Sequence, residues 1–334
     1  MTYDTTDTPR QRLSRRQLVQ ALAASTAALA APALRAQAFP SKPLRMIVGF
    51  TPGGAADVMA RIIAKGLGAQ LGQQVVVENK PGAEGIIASQ ELIKSAPDGY
   101  TLMMGTNTAT VAIPALRNPP PYDPFKAFTP LSTAGEFSMF LAVPAQLKVN
   151  TLKEFLDLVA AQPDKFSSGS SNSAAELAML QLLGTRNIRV VNVRYKGDAQ
   201  AMTDLVGGQI QMMFSTGTLT PTFVKDGKVK SLVTLLPKRS PLLPEVPTAA
   251  ELGIGKLTIT PWAGFFGPPG MATDITDKLS LELRNALART DVREQLLGQG
   301  FSSYGMSAPE FSAYFKRQYD GFVNTVRENN VKFD

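Results

Sequence analysis

"RMIVGFTPGGAADVMARI", Arg45 to Ile62, joins an apolar run to an amphipathic segment through Pro52-Gly53-Gly54. The run that ends in Phe50 is continuously apolar, as for a strand buried on both faces of a parallel sheet. The segment "AADVMARIIAKGLGAQL" carries apolar residues at helical spacing and stops near Gly72. The stretch therefore reads as strand, glycine turn and helix start. It leaves open whether the glycines receive a nucleotide phosphate, another anion or nothing.

A phosphate is a poor fit. "FTPGGAAD" has no Lys-Ser/Thr pair at P-loop spacing, since the next lysine downstream is Lys65, and it is not GxGxxG. The physics of the position remains. Glycines at 53 and 54 allow close approach to the backbone. The first amides of a helix lack intrahelical partners and sit at the positive end of its dipole. A carboxylate fits such a turn without a basic side chain. Asp57 can cap the helix from within its first turn, and a tight turn with no ligand is the plain alternative.

Beyond Ile62 the alternation continues. "QVVVEN" reads as a second strand, "IIASQELIKSA" as a helix and "YTLMMGT" as a third strand, which argues for a parallel sheet with right-handed crossovers. The Pro-rich "IPALRNPPPYDPFKAFTP" marks a boundary region. "LSTAGEFSMFLAVPA" is long enough to run from one domain into another. "TLKEFLDLVAAQP" opens with Thr151 and Glu154 in capping-box spacing. "KFSSGSSNSAAELAMLQLLG", "RVVNVRY", "DAQAMTDLVGG", "IQMMFST" and "VKSLVTLL" supply a second α/β unit. "TPWAGFFGPPG" returns as a strand, and two amphipathic helices, "ITDKLSLELRNALART" and "PEFSAYFKRQYDGFVNTVREN", close the chain.

Two further polar turns resemble the first in context. "SSGSSNSAAEL", Ser167 to Leu177, and "MMGTNTAT", with Thr106 and Asn107, each end a strand. In open parallel sheets, ligands bind beyond the carboxyl ends of strands. Three such turns from two units describe a cleft between two lobes. Simple capping by Ser or Asn is the alternative for the second turn.

Composition limits the chemistry. The 334 residues contain no cysteine and no histidine. Disulfides, thiolate zinc sites, cysteine nucleophiles, Ser-His-Asp triads and His-metal clusters are thereby excluded. The net charge is +7, and residues 1–38 contribute five arginines against two aspartates. No dense basic cluster with interleaved aromatics points to nucleic acid. A mildly positive surface suits small anions.

The N-terminus reads as an export signal over residues 1–38. Ser14-Arg15-Arg16 precedes an Ala-rich apolar stretch that ends in Ala36-Gln37-Ala38, a small-x-small cleavage pattern. The paired arginines suggest the twin-arginine route, and the general secretory route also stands. No other run is long enough to span a membrane. The expected location is outside the cytoplasm.

The segments "FPSKPLRMIVGFTPGGAADVMARIIA", "LGQQVVVENKPGAEG", "APDGYTLMMGTN", "YDPFKAFTPLS", "VRYKGDAQAMTDLVGGQIQMMF", "KRSPLLPEVPTAAELG" and "PWAGFFGPPGM" together resemble the extracytoplasmic solute receptors of tripartite tricarboxylate transporters, the Bug family. The match runs in order through nearly the whole chain after residue 38. The resemblance implies an α/β type II periplasmic-binding (Venus flytrap) fold: two lobes with parallel-dominated mixed sheets and a hinge between them. Residues 39–140 plus 262–334 would form the first lobe and residues 141–261 the second. It implies a monomeric, non-enzymatic receptor in the periplasm, with no cofactor and no metal. Such a receptor captures a small carboxylate-bearing solute and delivers it to transporter subunits in the membrane.

The implied ligand-binding residues follow the three turns. Phe50, Thr51, Pro52, Gly53, Gly54, Ala55 and Asp57 belong to the first, and Thr106 and Asn107 to the second. Ser170, Ser171, Asn172 and Ser173 belong to the third, with Glu176 and Ser215 beside it. Two positions and one loop depart from the family pattern. Glu176 stands where histidine is frequent, and Ser215 where aspartate is. Pro81-Gly82-Ala83-Glu84-Gly85-Ile86-Ile87-Ala88 replaces the usual "PGAGGNIG". Glu176 in the cleft would favour a ligand amine or hydroxyl, or else be a solvated helix residue. Trp262 near the hinge is a candidate for stacking or for packing.

Two other functions remain to be weighed. A receptor that feeds a membrane sensor would share the same cleft. A secreted hydrolase would need two converging carboxylates, and Asp57, Glu176 and Asp198 show no paired spacing.

Overall fold

A computed structural model describes residues 39–255, 257 and 259–328. The export-signal reading of residues 1–38 lies outside the described residues. From Lys42 onward the chain forms one compact unit.

The opening stretch folds as its pattern dictates. β1 (Leu44–Val48) is buried along nearly its whole length. α1 (Ala55–Leu71) turns Met59, Ala60, Ile63 and Leu67 into the core and ends at Gly72. Gly72 adopts φ 64°, the left-handed conformation that favours glycine at a helix end, and its N–H donates to the Gly68 carbonyl. β2 (Val75–Asn79), α2 (Ile86–Ile93) and β3 (Thr101–Thr106) complete the alternation, and β2 and β3 flank β1 in parallel.

A π-helical turn (Thr108–Ala112), α3 (Ile113–Leu116) and α4 (Pro124–Ala127) carry the Pro-rich stretch into β4 (Thr129–Phe137). That stretch is not a boundary, because β4 lies in the same six-stranded sheet as β3. The chain leaves this sheet at Ser138 and continues as β5 (Met139–Pro144) of a second, five-stranded sheet. There follow α5 (Leu152–Ala161), β6 (Ser167–Ser170), α6 (Ser173–Gly184), β7 (Val191–Arg194), α7 (Asp198–Val206), β8 (Met212–Thr216), α8 (Thr220–Lys225) and β9 (Val229–Thr234). Thr151 caps α5 as its sequence predicts. Glu154 reaches back to the Asn150 amide, one residue earlier than the usual capping box.

β10 (Trp262–Gly267) returns to the first sheet, followed by α9 (Thr273–Ala288), α10 (Thr290–Gly298), β11 (Phe301–Ser303) and α11 (Ala308–Glu328). The strand orders are β11-β4-β10-β3-β1-β2 and β7-β6-β8-β5-β9. The fold is the expected two-lobed α/β architecture, but its sheets are not dominated by parallel pairs. Four of the nine pairings are parallel and five antiparallel. Four of the five antiparallel pairs come from the strands that enter a sheet from the other, and β11 against β4 is the fifth. β5 enters the second sheet, and β10 re-enters the first, each running against both its neighbours.

The crossing is tightly bonded. Ser138 N–H donates to Gly300 O at 2.7 Å, Ser138 O accepts from Gly217 N–H at 2.7 Å, and its hydroxyl meets Ser240 Oγ at 2.9 Å. α11 ties the two bodies from behind, where buried Gln181 of α6 donates to Thr325 Oγ1 at 3.0 Å. One apolar cluster runs continuously through both, from Ile47 and Phe266 to Phe155 and Phe214. Trp262 is fully buried there, edge-on to Phe311, Tyr314 and Phe315, with its indole N–H donating to Gln318. It is a packing residue, not an exposed stacking platform.

Candidate functional site

The first turn is organised by Asp57. This carboxylate is 3% exposed. It accepts from Gly53 N–H at 2.8 Å, Asn79 Nδ2 at 2.9 Å and Arg61 Nε at 3.0 Å. Burial alone would raise its pKa, but the bonds from Arg61, Gly53 and Asn79 outweigh it and hold the carboxyl below the usual aspartate value. Asp57 therefore faces inward, and its role in the turn is structural. Asn79 also donates to the Phe50 carbonyl, which anchors the start of the turn.

This arrangement relocates the donors that the sequence suggested. Gly53 N–H is taken by Asp57, and Gly54 N–H points to Thr51 O at 3.3 Å. Neither glycine amide is open to a ligand. The next three amides, of Ala55, Ala56 and Asp57, have no acceptor among the described residues. Gly54 is the N-cap residue of α1 and supplies no side-chain cap. Thr51, Pro52 and Gly53 are exposed around it.

The second turn adds a hydroxyl. Thr106 is 7% exposed at the end of β3, and its Oγ1 is buried without a hydrogen-bond partner among the described residues. Such groups are uncommon in folded proteins and call for a reason. Asn107 is committed, donating to Thr260 O at 3.2 Å on the return crossing.

The third turn has its own acidic organiser. Asp198, at the first position of α7, accepts from the Ser171 hydroxyl, from Thr216 N–H at 2.8 Å and from Ser215 Oγ at 3.5 Å. It thereby gathers Ser171 and Ser215, which are 44 positions apart in number, onto one carboxylate. Ser170 Oγ accepts from Asn192, and Asn172 caps α6 by accepting from Ala175 N–H at 2.9 Å. Glu176 does not offer an unpaired charge, since Arg194 Nε sits 3.0 Å from its carboxylate.

Ser173 is met from the other sheet. Its N–H and hydroxyl both donate to Glu84 Oε2, at 3.0 and 2.7 Å. Among the described residues, no hydrogen bond joins the Gly53-Gly54 turn directly to the Ser170–Ser173 turn. Asn79, Asp198 and Glu84 were not singled out as site residues from sequence. Asp198 was weighed from sequence only as a possible hydrolase carboxylate, whereas the other two act only through distant partners.

Two surface hollows lie elsewhere. One, of about 630 Å³, is lined by Asn150, Leu152, Lys230 and Val246, and the other, of about 680 Å³, by Arg61, Gly68, Gly72 and Val76. Lys230 spends its ammonium on Leu147 O, Val149 O and Asn150 Oδ1. Neither hollow contains any of the three polar turns. Among the described residues, no group of three or more acidic side chains is placed to hold a metal ion. No helix there is long and apolar enough to cross a membrane.

Comparison with known proteins gives the class. The chain matches the tripartite tricarboxylate transporter family receptor over residues 59–329, and it belongs to that family. It is 32% identical over 312 residues to protein BugT of Bordetella pertussis, covering 92% of this chain and 95% of BugT. The solved structure of the periplasmic binding protein BugD superposes with a TM-score of 0.78 at 29% identity, covering 88% of this chain and 99% of BugD. MatC (Rpa3494) from Rhodopseudomonas palustris, solved with bound malate, superposes at 0.75 with 28% identity, covering 86% and 100%. The protein is thus a solute receptor of the periplasmic-binding-protein type.

Proposed function

We propose that this receptor captures a small carboxylate-bearing solute between its two lobes, with one carboxylate seated on the open first-turn amides of α1. The observation that carries the reading is the state of that turn. Asp57 is bound inward and neutralised by Arg61, while the amides of Ala55 and Ala56 keep no acceptor among the described residues. Such amides favour an anion through both their hydrogen bonds and the helix dipole. The buried, unpartnered Thr106 hydroxyl supplies a further group for the solute. The malate bound to MatC, a relative in structure at 28% identity, is a solute of the same chemical class.

In this reading the lobes follow the expected division, residues 39–140 with 262–334 and residues 141–261, except that Met139 and Phe140 already pair in the second sheet and go with the second lobe. They hinge at Ser138 and before Trp262, and the solute favours closure because it touches both. The receptor works in the periplasm as a monomer after loss of residues 1–38 and passes its cargo to membrane subunits of a tripartite tricarboxylate-type transporter. It catalyses no reaction. Its cleft carboxylates are each bound to separate partners, Asp57 to Arg61, Glu176 to Arg194 and Asp198 to Ser171 and Thr216.

Thermal unfolding of the purified protein with a panel of carboxylates and their amides tests the reading. A ligand at 100 times its Kd adds about 2.7 kcal/mol, a rise of roughly 5–10 °C for domains of this size. An acid that raises the midpoint while its amide does not supports the anion turn. Equal effects of acid and amide refute it.

A further inference from the structure

The loop between β2 and α2 carries an unusual residue in an unusual conformation. Ala83 and Glu84 both adopt positive φ, 46° and 54°, between Gly82 at 134° and Gly85 at 96°. Residues with a Cβ avoid this region. The loop is wedged in place. A Cβ on Gly85 would lie 2.8 Å from Ala109 Cβ, and one on Gly49 at the end of β1 would lie 2.8 Å from Gly85 Cα. So held, Glu84 reaches 89 positions along the chain and accepts both the N–H and the hydroxyl of Ser173 on a single oxygen. Ser173 opens α6, so the carboxylate also meets the positive end of that helix.

We propose that Glu84 is a tethered carboxylate that latches the first lobe to the second and reserves the Ser173 donor pair, so that the cleft selects solutes carrying one carboxylate over those carrying two. This rests on the carboxylate reading above and refines its substrate class. A solute with a second carboxylate would have to displace Glu84 from Ser173 or leave its own charge beside that of Glu84. Both options weaken binding, and the discrimination is a difference between two affinities set partly by repulsion. The latch also makes contact between the lobes before any solute arrives, which shifts the empty receptor toward its closed form.

Two measurements test this. Glu84→Gly suits the backbone, since glycine adopts positive φ freely, and Ser173→Ala removes the hydroxyl from the other side. The chain lacks cysteine, so Ala69→Cys with Ala161→Cys places spin labels specifically on α1 and α5. In solute-free protein, both latch variants should lengthen and broaden the label-to-label distance distribution. Unchanged distributions in both variants overturn the latch. Calorimetric titration with two matched pairs, succinate with butyrate and adipate with hexanoate, then reads selectivity. Glu84→Gly should raise the dicarboxylate-to-monocarboxylate affinity ratio at least tenfold, and a ratio within twofold of the parent overturns the selective role. If none of the four acids binds either protein, the carboxylate reading itself fails, and the distance measurement alone decides the latch.

Discussion

Replacing Gly54 by aspartate should fill the proposed anion seat with the protein's own carboxylate. Gly54 is the N-cap of α1 at φ −74°, a conformation open to any residue. A Cβ there would lie 3.3 Å from Thr51 O, close enough to ask a small adjustment of the turn but no rebuilding. An aspartate at an N-cap accepts from the second or third helical amide, here those of Ala56 and Asp57. Capping relative to glycine is worth a few tenths of a kcal/mol, and charge at the helix start adds about 0.3–1 kcal/mol. Proximity to the Asp57 carboxylate offsets part of this. The variant should therefore melt within about 3 °C of the parent. Binding should change far more. A solute carboxylate that loses two charge-assisted bonds at about 1.5–3 kcal/mol each loses roughly 10²–10⁴ in affinity. Calorimetric titration with an acid that stabilises the parent provides the assay, with Gly54→Ala as the uncharged control. Affinity within threefold of the parent in a folded Gly54→Asp protein would refute the seat. Gross unfolding would refute the description of the turn.

Two further outcomes follow from the packing. Asp57→Asn should cost about 1–3 kcal/mol at neutral pH, because it weakens the bonds to Arg61 and Gly53 around a buried group while Arg61 stays half-exposed and screened. The folded pKa of Asp57 is lowered from 3.8. Its stabilising contribution is therefore complete above that value and is lost as pH falls through the folded pKa. Melting curves of parent and Asp57→Asn should converge on acidification below about pH 4, and a gap that stays constant to pH 2 would contradict the assignment. Trp262→Ala should cost about 3–5 kcal/mol in urea unfolding, because the fully buried ring is lost from three edge contacts. A loss under 1 kcal/mol would place the indole outside the core.

The local pieces of the fold were legible in the residue pattern. The apolar run before Phe50, the helical spacing of Met59, Ile63 and Leu67, and the stop at Gly72 each reflect short-range geometry. Backbone sterics and side-chain periodicity act within a few residues and so leave a visible pattern. The alternation of strands and helices likewise carried the two-lobed α/β architecture. α10 and β11 were missed for the same reason in reverse. "TDVREQLLG" buries only Val292 and Leu296, and β11 has three residues, so neither leaves a period to read. Strand direction was also invisible, because an antiparallel pair and a parallel pair present similar apolar runs.

Tertiary structure alone decided which polar groups were spent and which were free. The glycine turn was legible, but the capture of Gly53 N–H by Asp57 depends on Asn79 arriving 22 positions later in an adjacent strand. The Ser-rich turn was legible, but its partner is Glu84, from a loop in the other lobe. Asp198 was visible as an acid, and only the juxtaposition of α7 with β6 and β8 made it the shared acceptor for Ser171 and Ser215. Hydrogen bonds of this kind are fixed by packing of distant segments, where a shift of one ångström makes or breaks the bond. A linear sequence records the donors and acceptors but not which of them the fold brings within reach.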